Sequence, residues 1–178
     1  MTWVLITLAI LAGLIALVVI IGVMLPKGHT ASRSLMCEHC GPEQIWDIIT
    51  DYANQSSWRT GWKKFERITD PSGGGKEIWR EFDKRGQPLT LETTLAKKPL
   101  RLVRTIADPK LPFSGRWEYD LHPMTGGTKI TITEIGEVSN PIFRFVAHFF
   151  MNKAGSIEAY LEHLAAKLNL RNPRITEG

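Results

Sequence analysis

FSGRWEYDLHPMTGGTKITITEIGE, Phe113 to Glu137, is the stretch on which the fold turns. Read at a period of two, Phe113, Trp117, Tyr119 and Leu121 share one face of a first strand, Phe113–His122. Ile130, Ile132 and Glu134 share one face of a second, Thr128–Glu137. Arg116, Glu118, Asp120, Lys129, Thr131 and Thr133 take the opposite, wet face. The connection Pro123–Gly127 is a turn, too short for a crossover, so the two strands pair antiparallel. One side of the resulting sheet is apolar and needs a cover.

Upstream, four more segments have strand character, Trp62–Ile68, Lys76–Asp83, Leu89–Lys97 and Arg101–Ala107. The turn signals Ser72–Gly75, Lys84–Gln87, Lys98-Pro99 and Asp108–Pro112 mark their ends, so the whole reads as an antiparallel meander. A strand Ala31–His39 and a helix Pro42–Tyr52 precede it, with proline in the helix's first turn and Ile45, Trp46, Ile48 and Ile49 on one apolar side. Asn54–Trp58 is a loop or a second short helix. Downstream, Ile142, Phe145, Val146, Phe149, Ile157, Tyr160, Leu161, Leu164 and Leu168 follow helical spacing, interrupted at Lys153 and loosened at Gly155. This predicts one long amphipathic helix, Pro141–Asn169, as the cover of the sheet. Where sheet and helix separate, a cavity follows.

The other end of the chain has a different character. Trp3 to Leu25 carries no charged residue, and as a helix it would extend about 35 Å, enough for a hydrocarbon core of about 30 Å. A cleaved signal peptide is the competing reading, but there is no basic leading region, the run is too long, and His29-Thr30-Ala31 is a poor cleavage site. The expectation is an uncleaved single-pass anchor over residues 1–25, a linker over 26–30, one domain over 31–170 and a tail over 171–178. Lys27 and Arg33 just after the span place that domain in the cytoplasm by the positive-inside rule. The 43% apolar content and the near-zero mean hydropathy of the whole chain therefore average two unlike parts.

Recognisable catalytic and cofactor motifs are missing. Cys37-Glu38-His39-Cys40 is half a zinc site with no second half, and reads as two reduced thiols. Ser72-Gly-Gly-Gly-Lys76 lacks the spacing of a phosphate loop and reads as a hairpin turn. No metal and no cofactor are expected. The net charge of +4 suits anionic lipid. Its basic residues are dispersed among acids, which argues against a nucleic-acid groove.

The pieces resemble a known family. Pro42-Glu-Gln-Ile-Trp46-Asp-Ile-Ile-Thr-Asp51 after the first strand and Trp58 in the following loop carry the likeness. So do Gly115-Arg-Trp117, Gly127-Thr-Lys-Ile-Thr-Ile-Thr-Glu134 and Asn140-Pro141 before the last helix. In that order and spacing they are similar to the START-like, or SRPBCC, superfamily, which includes the polyketide cyclase/dehydrase and lipid-transport group. The resemblance covers about residues 31 to 170. It implies an α+β helix-grip fold, a curved antiparallel sheet wrapped around a long C-terminal helix, here preceded by one transmembrane helix. It also implies a hydrophobic cavity that takes lipids, sterols, polyketides or quinones, with catalysis in a minority of members.

Strand parity then nominates the lining of such a cavity. Trp117, Tyr119, Ile130, Ile132 and Glu134 face inward, joined by Phe145, Phe149 and either Phe150 or Met151, with Trp58 and Trp62 capping one end. Glu134 is a carboxylate on an apolar face, so it needs a partner, for which Arg80 and Arg104 are candidates. The alternative to a ligand site is ordinary core for the aromatics and a structural ion pair for Glu134. The start of the last helix, Phe143–Met151, is apolar nearly all round and either inserts beneath the sheet or touches the bilayer. The leading expectation is a membrane-anchored, non-enzymatic binder of a lipid or other hydrophobic small molecule. A cyclase- or hydratase-like enzyme using Glu134 as acid–base is the alternative, and a scaffold for a membrane protein partner is a further one.

Overall fold

The computed structural model describes residues 2–69 and 73–178, so Ser72 of the glycine-rich turn lies outside the described residues. Helix α1 (Thr2–Met24) leads into strand β1 (Gly28–Glu38), helix α2 (Pro42–Thr50) and a short 3-10 segment (Tyr52–Ser57). The meander follows as β2 (Trp62–Ile68), β3 (Glu77–Asp83), β4 (Pro88–Lys97), β5 (Arg101–Ile106), β6 (Phe113–Met124) and β7 (Gly127–Val138). Helices α3 (Pro141–Phe150) and α4 (Gly155–Lys167) and strand β8 (Ile175–Glu177) complete the chain.

All eight strands form one sheet in the order β2-β3-β4-β5-β6-β7-β1-β8. Every neighbouring pair is antiparallel, so sequence neighbours pair through short turns until β1 closes on β7. The β6–β7 register sets Trp117 opposite Glu134, Tyr119 opposite Ile132 and Leu121 opposite Ile130, as a two-residue period requires. Helix α2 begins with proline where no amide bond is lost, and buries Ile45, Trp46 and Ile49. Together with Leu35, Leu121, Ile130 and Ile132 from the sheet and Ile157, Leu161 and Leu164 from α4, they form one core. The expected α+β helix-grip architecture is present: a curved antiparallel sheet closed over a C-terminal helix.

Three expectations need correction. Pro141–Asn169 is not one helix. The chain is extended at Met151, and Asn152 accepts the amide of Ala154 at 3.0 Å, so a turn separates α3 from α4. Of these two helices only α4 joins the core beneath the sheet. Second, the tail ends in β8, which pairs with Arg33, Ser34 and Leu35 on the outer edge of β1 and so covers the middle of an otherwise free row of backbone donors and acceptors. Third, β1 starts at Gly28, inside the segment read as linker. At the other end of β1, His39 has φ 58° and turns the chain, so Cys37 and Cys40 both enter the core.

Helix α3 packs on the end of α1 and not beneath the sheet. A side-chain carbon on Gly22 would stand 2.1 Å from the carbonyl oxygen of Pro141, so glycine is what allows the approach. Arg144 ties the junction. Its Nη1 donates to the carbonyls of Gly22 and Leu25 at 3.0 and 3.2 Å, its Nε to Val138 and its Nη2 to Ser139, both at 3.0 Å. One buried guanidinium thus satisfies carbonyls at the ends of both α1 and β7. Asn140 caps α3, accepting the amides of Ile142 and Phe143 at 2.9 and 3.2 Å.

Candidate functional site

Apart from Arg33 on β1, which pairs with Glu158 of α4 at 2.8 Å, the sheet face toward α4 is apolar except at two places. The first is a buried charge cluster that begins with Glu81 on β3 and Arg104 on β5, 1% and 2% exposed. One carboxylate oxygen of Glu81 accepts from Arg104 Nη1, and the other from Arg59 Nη1 at 3.0 Å. Arg59, just after the 3-10 segment, also donates to Gln55 Oε1 at 2.6 Å. The Arg104 guanidinium lies over the Tyr52 ring at 4.1 Å. That of Arg59 lies near Trp62, Tyr160 and Phe65 at 4.9, 5.0 and 5.4 Å. Tyr52, Tyr119 and Tyr160 are all held above the ordinary phenol range by burial, so they are neutral hydroxyls here.

Two guanidiniums share one carboxylate, so the cluster carries a positive charge in an aromatic shell. Burial pulls the Arg104 pKa down, but Glu81, Tyr52 and Tyr119 around it together more than offset this, and the group stays protonated. Its Nε and Nη2 are buried and, among the described residues, have no acceptor. An interior N–H without an acceptor is costly, and an oxygen-bearing group placed there would relieve it.

The second place is Glu134 on β7, with its side chain 16% exposed. Its Oε2 accepts from Trp117 Nε1 at 2.8 Å and from the Ser156 hydroxyl at the start of α4. Its Oε1 faces His29 Nε2 at 3.2 Å. Neither arginine expected as its partner reaches it. Arg80 points to the other face and is exposed. Arg104, Trp117 and Glu134 are register neighbours on successive strands, so the indole stands between the two charges, about 10 Å of sheet apart. Gly136 makes room for His29, since a side-chain carbon there would stand 2.3 Å from the imidazole. Carboxylate contact favours the proton on Nε2 and leaves Nδ1 as the basic nitrogen.

The remaining nominated residues divide. Trp58 packs edge-on against Tyr160 at 5.5 Å, and Tyr119 meets the same ring at 5.6 Å. Trp62 stands beside Phe65 under Arg59. Ile130 and Ile132 are filled core. Phe145 and Phe149 do not enter the interior: they stack on each other at 4.9 Å on α3, where Phe149, Phe150 and Met151 are exposed. The helical spacing that nominated them was correct, but α3 turns toward α1. Sequence reasoning missed His29, Arg59, Glu81, Tyr52 and Tyr160. Glu81 was within reach of the parity argument, since it shares a face with Trp79.

Of two surface grooves, about 380 and 370 Å³, the larger is lined in part by His29 and Gly136 of the Glu134 cluster, and neither is lined by Glu81, Arg59 or Arg104. One crosses the ends of β1, β6 and β7, where Thr30, Arg116, Ile135 and Glu137 have the parity opposite to Glu134. The other lies between β1, the α3–α4 turn and the C-terminus. Among the described residues no group of three or more potential metal ligands occurs.

Comparison with known proteins adds to this geometry. The family described as polyketide cyclase / dehydrase and lipid transport matches residues 36–169. Norcoclaurine synthase from Thalictrum flavum, solved with a transition-state analogue, superposes with a TM-score of 0.62 at 12% identity, covering 82% of this chain and 97% of that one. A START superfamily protein from Mycobacterium smegmatis gives 0.55 at 13% identity, over 81% and 98%. The di-domain ARO/CYC protein BexL gives 0.55 at 15% identity, over 84% of this chain and 48% of its own. At these identities the likeness is one of fold. Curated protein sequences give no match.

Proposed function

Since the chain belongs to the polyketide cyclase / dehydrase and lipid transport family, we propose that its helix-grip domain binds a hydrophobic small molecule bearing an oxygen acceptor, a carboxylate above all. The observation that carries this reading is Arg104, a buried cation with two N–H groups unspent and an aromatic shell around it. An apolar body would pack against the rings, and a carboxylate would take the free edge of the guanidinium in a charge-assisted pair. The reading also takes α1 as an uncleaved membrane tether, because cleavage would strip Arg144 of two acceptors. A tethered domain meets bilayer-dissolved ligands at high local concentration.

The test is binding of a fluorescent fatty acid to the full chain in nanodiscs, beside the alcohol of equal chain length. Wild type should prefer the acid. Arg104→Met, which leaves Glu81 its bond from Arg59, should lose that preference by about tenfold or more. Equal binding of acid and alcohol by wild type, or an unchanged preference in the variant, would refute the proposal.

A second reading has its own observation, the His29–Glu134 contact at the half-buried rim. A base oriented by a carboxylate is the usual equipment for moving a proton. Here the pair supplies it as a unit, with Glu134 polarising His29. One of the similar folds, norcoclaurine synthase, is an enzyme by name. On this reading Glu134→Gln keeps the Trp117 bond, melts near wild type and still retains ligand, but loses turnover of any substrate found by activity screening. An unaltered rate in that variant would remove Glu134 from the chemistry.

A further inference from the structure

Helix α3 exposes an apolar stripe. Ile142, Phe143, Val146, Phe149 and Phe150 are between 43% and 75% exposed, and they follow the i, i+1, i+4, i+7, i+8 spacing of one helix face. Met151 extends the stripe. Such a patch has no place in water. Its opposite side is fixed by Arg144, and its start rests on Gly22, so the stripe is continuous with the exposed apolar surface of α1. Charge points the same way. No Asp or Glu occurs before Glu38 or between Ser139 and Ile157, whereas the exposed Lys27 and Lys153 do; Arg33 is paired with Glu158 and Arg144 is spent on backbone carbonyls.

We infer that α3 is a second membrane contact, an interfacial helix lying in the leaflet from which α1 emerges. This rests on the reading of α1 as a tether. A helix along the surface buries its stripe about 5–10 Å into the boundary between headgroups and acyl chains, and basic residues around it meet anionic lipid. With α1 it forms an elbow, locked by Arg144, that fixes the orientation of the domain as well as its distance. The end of β7 joins this elbow, and Glu134 lies four residues up the strand, about 13 Å away. The rim of the grip therefore faces the bilayer, and a lipid-soluble ligand reaches it without crossing bulk water.

The experiment uses the full chain in vesicles of phosphatidylcholine and phosphatidylglycerol. Single cysteines at Phe143→Cys, Phe150→Cys, Ile10→Cys and Gln87→Cys carry an environment-sensitive fluorophore. The unsubstituted chain controls for Cys37 and Cys40, which are buried; burial and the neighbouring Cys40 push the Cys37 thiol up to about 12. Labels at 143, 150 and 10 should be quenched by brominated acyl chains, and those at 143 and 150 should be about fivefold less open to iodide than the label at 87. If 143 and 150 match 87 in iodide while 10 is quenched by lipid, α3 is not in the bilayer and the tether stands. If 10 also stays in water, the tether itself fails and the inference with it. Disulfide pairing between chains at 143, without quenching by lipid, would give the stripe to a second copy and overturn the inference.

Discussion

Glu81 holds two guanidiniums in a place where none of the three charges is tolerable alone. Removing its charge strands Arg59 and Arg104 inside the aromatic shell, and breaking a buried pair costs about 3–5 kcal/mol. Glu81→Gln should therefore lower stability by that order in urea denaturation, whereas Arg104→Met, which removes one of two cations, should cost far less. The ordering separates the carboxylate, required for folding, from the guanidinium available to a ligand. Glu134 differs in kind. Its partners are an indole, a hydroxyl and an imidazole at a half-open rim, so its neutral amide analogue should fold with little loss.

At the scale of elements, the α1–α3 elbow depends on Arg144 and on the absence of a side chain at Gly22. Arg144→Met leaves four backbone carbonyls without their donor, at roughly 1–3 kcal/mol for a group left buried and unsatisfied. The expected result is local: faster protease cleavage at the Pro26-Lys27 junction with the core transition nearly unchanged. Cleavage at the wild-type rate would mean that α1 and α3 are held by apolar contact alone. The break between α3 and α4 belongs here too. Lys153 and Gly155 interrupted the helical pattern in the sequence, but an interruption does not state where the chain turns next. That was decided by Asn152 closing a turn and Arg144 finding carbonyls 119 and 122 residues upstream.

For the molecule as a whole, the core draws on β1, β5, β6, β7, α2 and α4 and on nothing from α1. A chain lacking residues 1–25 should keep a cooperative thermal transition, yet associate unless detergent covers the α3 stripe. Size-exclusion chromatography with and without detergent checks this, and a monomer without detergent would contradict it. The sheet and its inward face were legible in the residues because alternation is local and a hairpin leaves no choice of partner. Trp117, Tyr119, Ile130 and Ile132 were placed correctly by parity alone, and the apolar span was equally plain. Which charges meet was not legible: Arg59, Glu81 and Arg104 come from a loop and two non-adjacent strands, brought together by curvature that no local pattern encodes. Nor was the direction of α3. A helical period says that a face needs cover, and only the folded chain supplies what lies opposite it.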